Sequence, residues 1–404
     1  LYSTAALLGV IRVTPIESSY WLDNFFPRQM TFDSEEIMFD RIKTNRRLAP
    51  FVSPVVQGRV IRSQGYETRA FRPAYSKPKH IVDPNRVFSR LAGEDLGGSS
   101  TPAQRWNAAV AENMAEERTM LQRLFNWMAG MAVIYGKVTI TGEDYPTQVV
   151  DFGRNAGLTR ILAGTARWGE ADAKPLQDIA DLRRLSFQES GSVITRLTMG
   201  LEAFDRFYES EDVQKLLKGQ EIGNVARTSD SILSAMGSTD TPYEYRGVLQ
   251  GANGQGRVEV YTYNEQYENA AGETVDYMSP NDVVGTGPGI QGVRCFGAIR
   301  DKRAGLQAIP IFPKMWDQED PSLTYTMSQS APLMVPANID NTFRIEVELM
   351  GEVHVGPTGK EEFSAGISQY PYLGSIAHRI RTADLARIYD TGRQETCVIG
   401  TLTQ

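Results

Sequence analysis

The residues able to do acid–base, metal or nucleophilic chemistry are few in this chain and widely scattered. Its histidines stand at His80, His354 and His378 and its cysteines at Cys295 and Cys397. Neither set has the short spacings of a zinc site or a disulfide framework, so buried thiols in a reducing compartment and no metal centre are the expectation. GTGPG at 285–289 lacks GxGxxG spacing and no helix is expected after it, so it reads as a plain loop. GPTGKE at 356–361 resembles the end of a phosphate-binding loop. However, His354 stands where the first glycine is required, and Glu361 replaces the Ser or Thr that would ligate magnesium. There is no GxSxG elbow, and Glu116–Glu117 reads as the solvated face of a helix rather than as a general acid and base. Neither an enzyme nor a cofactor is expected.

Charge is organised more sharply than chemistry. Arg41, Lys43, Arg46, Arg47, Arg59, Arg62, Arg69, Arg72, Lys77, Lys79, Arg86 and Arg90 face only Glu67 and Asp83 between residues 41 and 90. That window carries +10, and with a chain total of −7 the remainder carries −17. Such an asymmetry suits either nucleic acid or the acidic body of another copy of the chain. With 404 residues, 41% of them hydrophobic and 23% charged, the chain is long and apolar enough for two or three folded units. It contains no apolar run near the roughly 18 residues of a membrane span and no basic segment before Ala5–Ile11, so neither membrane insertion nor secretion is expected.

The elements that must carry this charge follow from periodicity. Residues 1–27 read as an extended arm with one short helix around Trp21, Leu22, Phe25 and Phe26, and MTFDSEEIMFD reads as a strand. FVSPVVQGRVIRSQGYETRAFRPAYSKPKH, 51–80, has the content of paired strands but no apolar face to bury, and Pro54, Pro73 and Pro78 confine it to sheet edges. Thr101, Pro102 and Gln104 form a helix start with a capping box. Trp106, Val110, Met114, Leu121, Leu124, Phe125, Met128 and Met131 then trace one stripe until Gly136, a rod of about 50 Å. KVTITG and TQVVDFG read as a hairpin, SVITRLTM as a strand leading into the helix LEAFDRFYESEDVQKLL, and the segments flanking Asn253–Gly254 as a second hairpin. LTYTMSQSAPLMVPA and FRIEVELMGEVHVG read as strands, and the last fifty or so residues as irregular.

The runs PFVSPVVQGRVIRSQG, KPKHIVDP, YGKVTITGE, YMSPNDVVG, FGAIRD and TMSQSAPLM, in this order, resemble the major capsid (head) proteins of lambda-like tailed bacteriophages over about residues 1–349. The resemblance implies an α+β HK97-type capsid fold with an N-terminal arm, an E-loop β-hairpin, a peripheral domain with a long spine helix, and an axial domain. Mapped onto this chain, it implies an N-terminal arm and first strand at 1–50, the E-loop at 51–82 and the peripheral domain with its spine helix at 83–153. The axial domain would follow at 154–321, a return to the peripheral domain at 322–350 and a C-terminal extension at 351–404, with 137–152 and 323–349 supplying the peripheral sheet.

The function implied is self-assembly of hexamers and pentamers into an icosahedral shell around double-stranded DNA, in the virion after assembly in host cytoplasm. Arg59, Arg62, Tyr66, Arg69, Phe71, Arg72, Lys77 and Lys79 of the E-loop would touch neighbouring subunits, and Trp106, Val110, Met114, Leu121, Leu124, Phe125 and Met128 would form the spine-helix core. A decoration protein, a scaffold and a portal are the implied partners, and packaged DNA is contacted without sequence specificity. The acidity of the rest of the chain would keep that DNA from adhering to the wall. The E-loop tip, placed at Ser63–Thr68, holds no lysine, so the isopeptide cross-link of some relatives is not expected. An encapsulin-type compartment and a nucleic-acid-binding protein using 41–90 are the alternative readings.

Overall fold

The computed structural model describes residues 18–34, 36–42, 48–49, 51, 57, 66–82, 101–142, 145–215, 242–249, 257–269, 272–320 and 322–348. All of these fall in the first of the chain's two units, Leu1–Glu348. His354, His378, Cys397, the GPTGKE run, Arg59, Arg62, the Asn253–Gly254 turn and the 351–404 extension lie outside the described residues.

The long helix runs from Pro102 to Tyr135. Its start is built as the sequence dictates: Gln104 N donates to Thr101 Oγ1 at 3.3 Å while Thr101 N donates to Gln104 Oε1 at 2.8 Å. Gly136 ends it in the left-handed conformation, φ +70°. Leu121, Phe125 and Met128 are buried in the larger core with Ala129, Ala132 and Val133, whereas Trp106, Val110, Met114 and Leu124 are only half-buried. In the first half of the helix the buried row is instead Ala109, Asn113 and Glu117. Glu117 is therefore not on a solvated face; it is fully buried, and only Glu116 beside it is exposed.

Phe312–Gln318, Leu323–Gln329 and Lys79–Val82 form a three-stranded antiparallel sheet against this helix. The single sheet expected from 137–152 with 323–349 does not form. Among the described residues Lys137–Gly142 pairs with Tyr145–Asp151 alone, as the expected hairpin. Thr342–Glu346 goes to a six-stranded sheet, because its first four residues are all buried and need cover on both faces. That sheet has the order Thr159–Ile161, Thr342–Glu346, Asp282–Thr286, Arg196–Met199, Val258–Tyr263, Tyr243–Leu249. With the helices Pro175–Ser190 and Leu201–Glu209 it builds a second core around Leu197, Phe204, Phe207, Val260, Val283 and Phe343. Gly285 of the GTGPG run is a strand residue here and not a loop glycine: a Cβ on it would lie 2.2 Å from the Phe343 ring.

MTFDSEEIMFD divides into two strands. Arg28–Phe32 runs parallel to Val293–Gly297, in a three-stranded sheet completed by Pro332–Val335. After a bend where Ser34 Oγ donates to Glu36 O at 2.6 Å, Ile37–Ile42 pairs antiparallel with Tyr66–Phe71. The hairpin expected within 51–82 therefore has its first strand before residue 51. Of the tip expected at Ser63–Thr68, Tyr66, Glu67 and Thr68 are strand residues and Ser63–Gly65 lie outside the described residues, and Lys79–Val82 belongs to the sheet on the long helix. The enclosed segment 43–65 carries Lys43, Arg46, Arg47, Arg59 and Arg62 and no acidic residue.

Candidate functional site

The hairpin of Ile37–Ile42 and Tyr66–Phe71 pairs with no third strand among the described residues, and an isolated two-stranded ribbon is marginal in water. Ile37 and Phe71 face each other at its base; Ile37 is completely buried and the Phe71 ring meets Phe152 at 5.7 Å between centroids. Beyond the base, Met38 is 64% exposed, and Leu48 and Phe51 in the enclosed segment are fully exposed. Apolar groups thus accumulate where this subunit offers no cover.

The return strand is tied down immediately after the ribbon. Arg72 Nε donates to Glu36 Oε1 at 3.1 Å, Ala74 is buried, and Tyr75 Oη accepts from Arg300 N at 3.0 Å while donating to Gln329 Oε1 at 2.7 Å. Burial raises the Tyr75 phenol above its ordinary pKa, so it remains a donor. Ser76 and Ser330 exchange backbone hydrogen bonds at 2.9 and 3.0 Å, which carries the chain onto the sheet. Beneath it, Glu117 accepts from Thr326 Oγ1 and Ser328 Oγ, each at 2.8 Å, and His80 Nδ1 stands 3.3 Å from the same carboxyl group.

The N-terminal arm has a comparable anchor. Asn126 on the long helix accepts from Trp21 N and Leu22 N at 3.1 and 3.2 Å and donates to Ser18 O at 3.2 Å, supplying the first turn of the helix Tyr20–Phe25 with an acceptor. Ser18 reaches Glu265 through both its N–H (2.8 Å) and its hydroxyl (2.7 Å), and Tyr263 donates to the same carboxylate at 2.6 Å. Burial and this carboxylate hold the Tyr263 hydroxyl well above its ordinary range, and burial pushes Tyr20 up to about 12.

The end of the long helix is joined to the six-stranded sheet by buried charge. Arg344 pairs with Asp282 at 2.8 Å and with Glu346 at 3.0 Å and lies 4.7 Å from the Tyr135 ring. Arg154 donates to Val133 O at 3.2 Å and Thr159 Oγ1 at 2.9 Å. Burial lifts Asp282 to about 6 despite its arginine, and burial together with the neighbouring Arg344 lowers Arg154 to about 10. Among the described residues no group of three or more His, Cys, Asp and Glu is placed to hold a metal ion, and no helix is long and apolar enough to cross a membrane.

Of the eight residues expected at subunit contacts, Tyr66 and Arg69 lie on the return strand of the ribbon and Phe71 and Arg72 secure its base. Lys77 and Lys79 are exposed and lie over rings of this same chain, Lys77 4.8 Å from Tyr75 and Lys79 3.8 Å from Tyr325. Met38, Glu36 and Asn126 escaped the sequence reading, and Glu117, which reads as part of a solvated face, lies instead under the sheet. The signal available was the row Ala109, Asn113, Glu117, Leu121, whose regular four-residue step places two polar residues in line with a core leucine.

A family model described as phage major capsid protein E matches residues 3–347. The major capsid protein of Escherichia phage N15 is 31% identical over 353 residues, covering 86% of this chain and 99% of that protein. The major capsid protein of Escherichia phage lambda is 30% identical over 353 residues, with the same coverage of each. The crystal structure of a prophage capsid protein from Escherichia coli CFT073 matches with a TM-score of 0.58 at 22% identity, covering 85% of this chain and 96% of that one.

Proposed function

Because this chain belongs to the phage major capsid protein E family, we propose a specific way in which it builds its shell. It is a major capsid protein of HK97-type α+β fold, a self-assembling subunit of the head shell of a tailed phage, and its place is the virion. In our reading the hairpin 37–71 is the E-loop and reaches over a neighbouring subunit, while the arm before Ser18 reaches a second. The observation that carries this is the ribbon itself, with Met38, Leu48 and Phe51 exposed and five basic side chains without an acidic one in its enclosed segment. A neighbour with an acidic body supplies both the apolar cover and the opposite charge.

The peripheral domain is then the long helix with the sheet of Lys79–Val82, Phe312–Gln318 and Leu323–Gln329. The axial domain is the six-stranded sheet with its two helices, and the 351–404 extension lies beyond the family match. The role is structural and not catalytic, and a decoration protein, scaffold and portal complete the head. Packaged double-stranded DNA is met without sequence specificity, and assembly takes place in host cytoplasm. In this reading the subunits are held without covalent bonds: between Ile37 and Phe71 the sequence has one lysine, Lys43, next to the first strand, so dissolved mature shells run as one band in a denaturing gel, and a ladder that disappears on changing Lys43 to Arg would overturn that. Neither an encapsulin-type compartment nor a nucleic-acid-binding protein is favoured by any particular observation.

The test is electron microscopy of the chain expressed with its neighbouring genes, beside a variant in which Arg59, Arg62, Arg69 and Arg72 are all changed to Glu. Closed shells from the parent, and folded but unassembled subunits from the variant, are expected. Normal shells from the variant would refute the hairpin's role, and a parent that stays monomeric but binds added DNA would favour the nucleic-acid reading.

A further inference from the structure

The outer face of the three-stranded sheet is unlike an ordinary solvated surface. The register sets Tyr325 between Trp316 and Ile81, and Met327 between Lys314 and Lys79, so these six side chains share one face. The other face presents Thr326 and Ser328 to Glu117 of the long helix. None of the six belongs to either hydrophobic core, and Ile81 is 51% exposed. Trp316 and Tyr325 stack at 5.3 Å with an 18° interplanar angle. The Lys79 ammonium lies 3.8 Å from the Tyr325 centroid and 5.2 Å from that of Trp316, and the Lys314 ammonium lies 5.7 Å from Trp316 while pairing with Asp301 at 2.6 Å. The rings thus hold cations over an apolar surface with less side-chain entropy left to lose on binding.

From this arrangement we infer that the outer face of the sheet is a second subunit contact, which receives an acidic, partly apolar surface of a neighbouring copy of this chain. The inference rests on the capsid role above. Two observations select a copy's body as the occupant. First, the chain outside 41–90 carries −17 while the hairpin-bearing window carries +10, so the body and not the hairpin of a neighbour matches the Lys79 ammonium, Lys314 being already paired with Asp301. Second, the face continues directly into the hairpin's base, through the Ser76–Ser330 backbone pair and the Tyr75–Gln329 hydrogen bond. A neighbour under the hairpin therefore lies within reach of both. Nucleic acid fits less well, because the mutual stack and the Lys79 ammonium occupy ring faces on which a base would stack.

Hydroxyl-radical footprinting of free subunits and assembled shells tests this directly. Ile81, Trp316, Tyr325 and Met327 should be oxidised several-fold more slowly in shells of the parent chain. A Lys79→Glu/Ile81→Glu variant, with the circular dichroism and elution volume of the parent subunit, should give about ten-fold fewer shells, the effect of roughly 1.4 kcal/mol. Lys79→Arg, which keeps the cation, should assemble normally. If the double variant fails to fold, the footprint of the parent alone decides. Equal oxidation in shells and free subunits would overturn the inference. So would protection that arises only when a second virion protein is added, which would give the face to that protein. A parent chain that never forms shells would instead bring down the capsid reading itself, and this contact with it.

Discussion

Glu117 offers the most demanding test of how the peripheral domain is held together. Its carboxyl group is completely buried and accepts hydrogen bonds from Thr326 and Ser328, whose side chains are themselves buried. Changing Glu117→Leu removes both acceptors and leaves two hydroxyls without partners, at about 1–3 kcal/mol each. We expect a net loss of about 3 kcal/mol, since leucine returns some apolar packing. With an unfolding entropy of about 2.1 cal/mol/K per residue over the first unit, Leu1–Glu348, that loss lowers Tm by about 4 °C. The triple variant Glu117→Leu/Thr326→Val/Ser328→Ala should recover most of the loss, because it removes both stranded hydroxyls together with their acceptor and leaves only the half-buried His80 to find water as a partner. Thermal denaturation of free subunits followed by circular dichroism measures both. If the single change leaves Tm untouched, or the triple variant is no better than the single, the hydrogen-bond account is wrong.

Gly285→Ala should abolish soluble expression, because its Cβ would fall 2.2 Å from the Phe343 ring; a second change, Phe343→Leu, should restore part of the yield. Asn126→Ala should release the arm's anchor, seen as faster proteolytic cutting near residues 18–26 in a subunit that otherwise resists the protease. Leu306, at φ +57° and 60% exposed, should accept glycine without loss of Tm, whereas Leu306→Val should cost about 1 kcal/mol because a branched Cβ is worse in the left-handed region. Asp301 is held down to about 2 by Lys314, with help from Arg303 N and Gln329. A depressed carboxylate stabilises the fold above its unfolded pKa and loses that contribution as pH falls through its folded one. Stability should therefore drop between about pH 4 and pH 2, and Asp301→Asn should flatten that limb of a denaturation–pH profile.

Much of this molecule is written locally. The start and end of the long helix follow from Thr101, Pro102, Gln104 and Gly136, and the hairpin after it from alternation alone, because capping and pleating depend on neighbours a few residues apart. The charge asymmetry is likewise a property of composition. What the tertiary structure decided is which distant groups meet. Glu117 is buried because Thr326 and Ser328, 209 and 211 residues away, bring hydroxyls to it, and Ser18 is fixed by Glu265, 247 residues away. The ribbon likewise takes Ile37–Ile42 as its first strand, from a segment that reads by alternation as a single strand. Periodicity specifies which face of an element is turned inward, but the partner across that face is selected by the closing of long loops, and no local pattern encodes it.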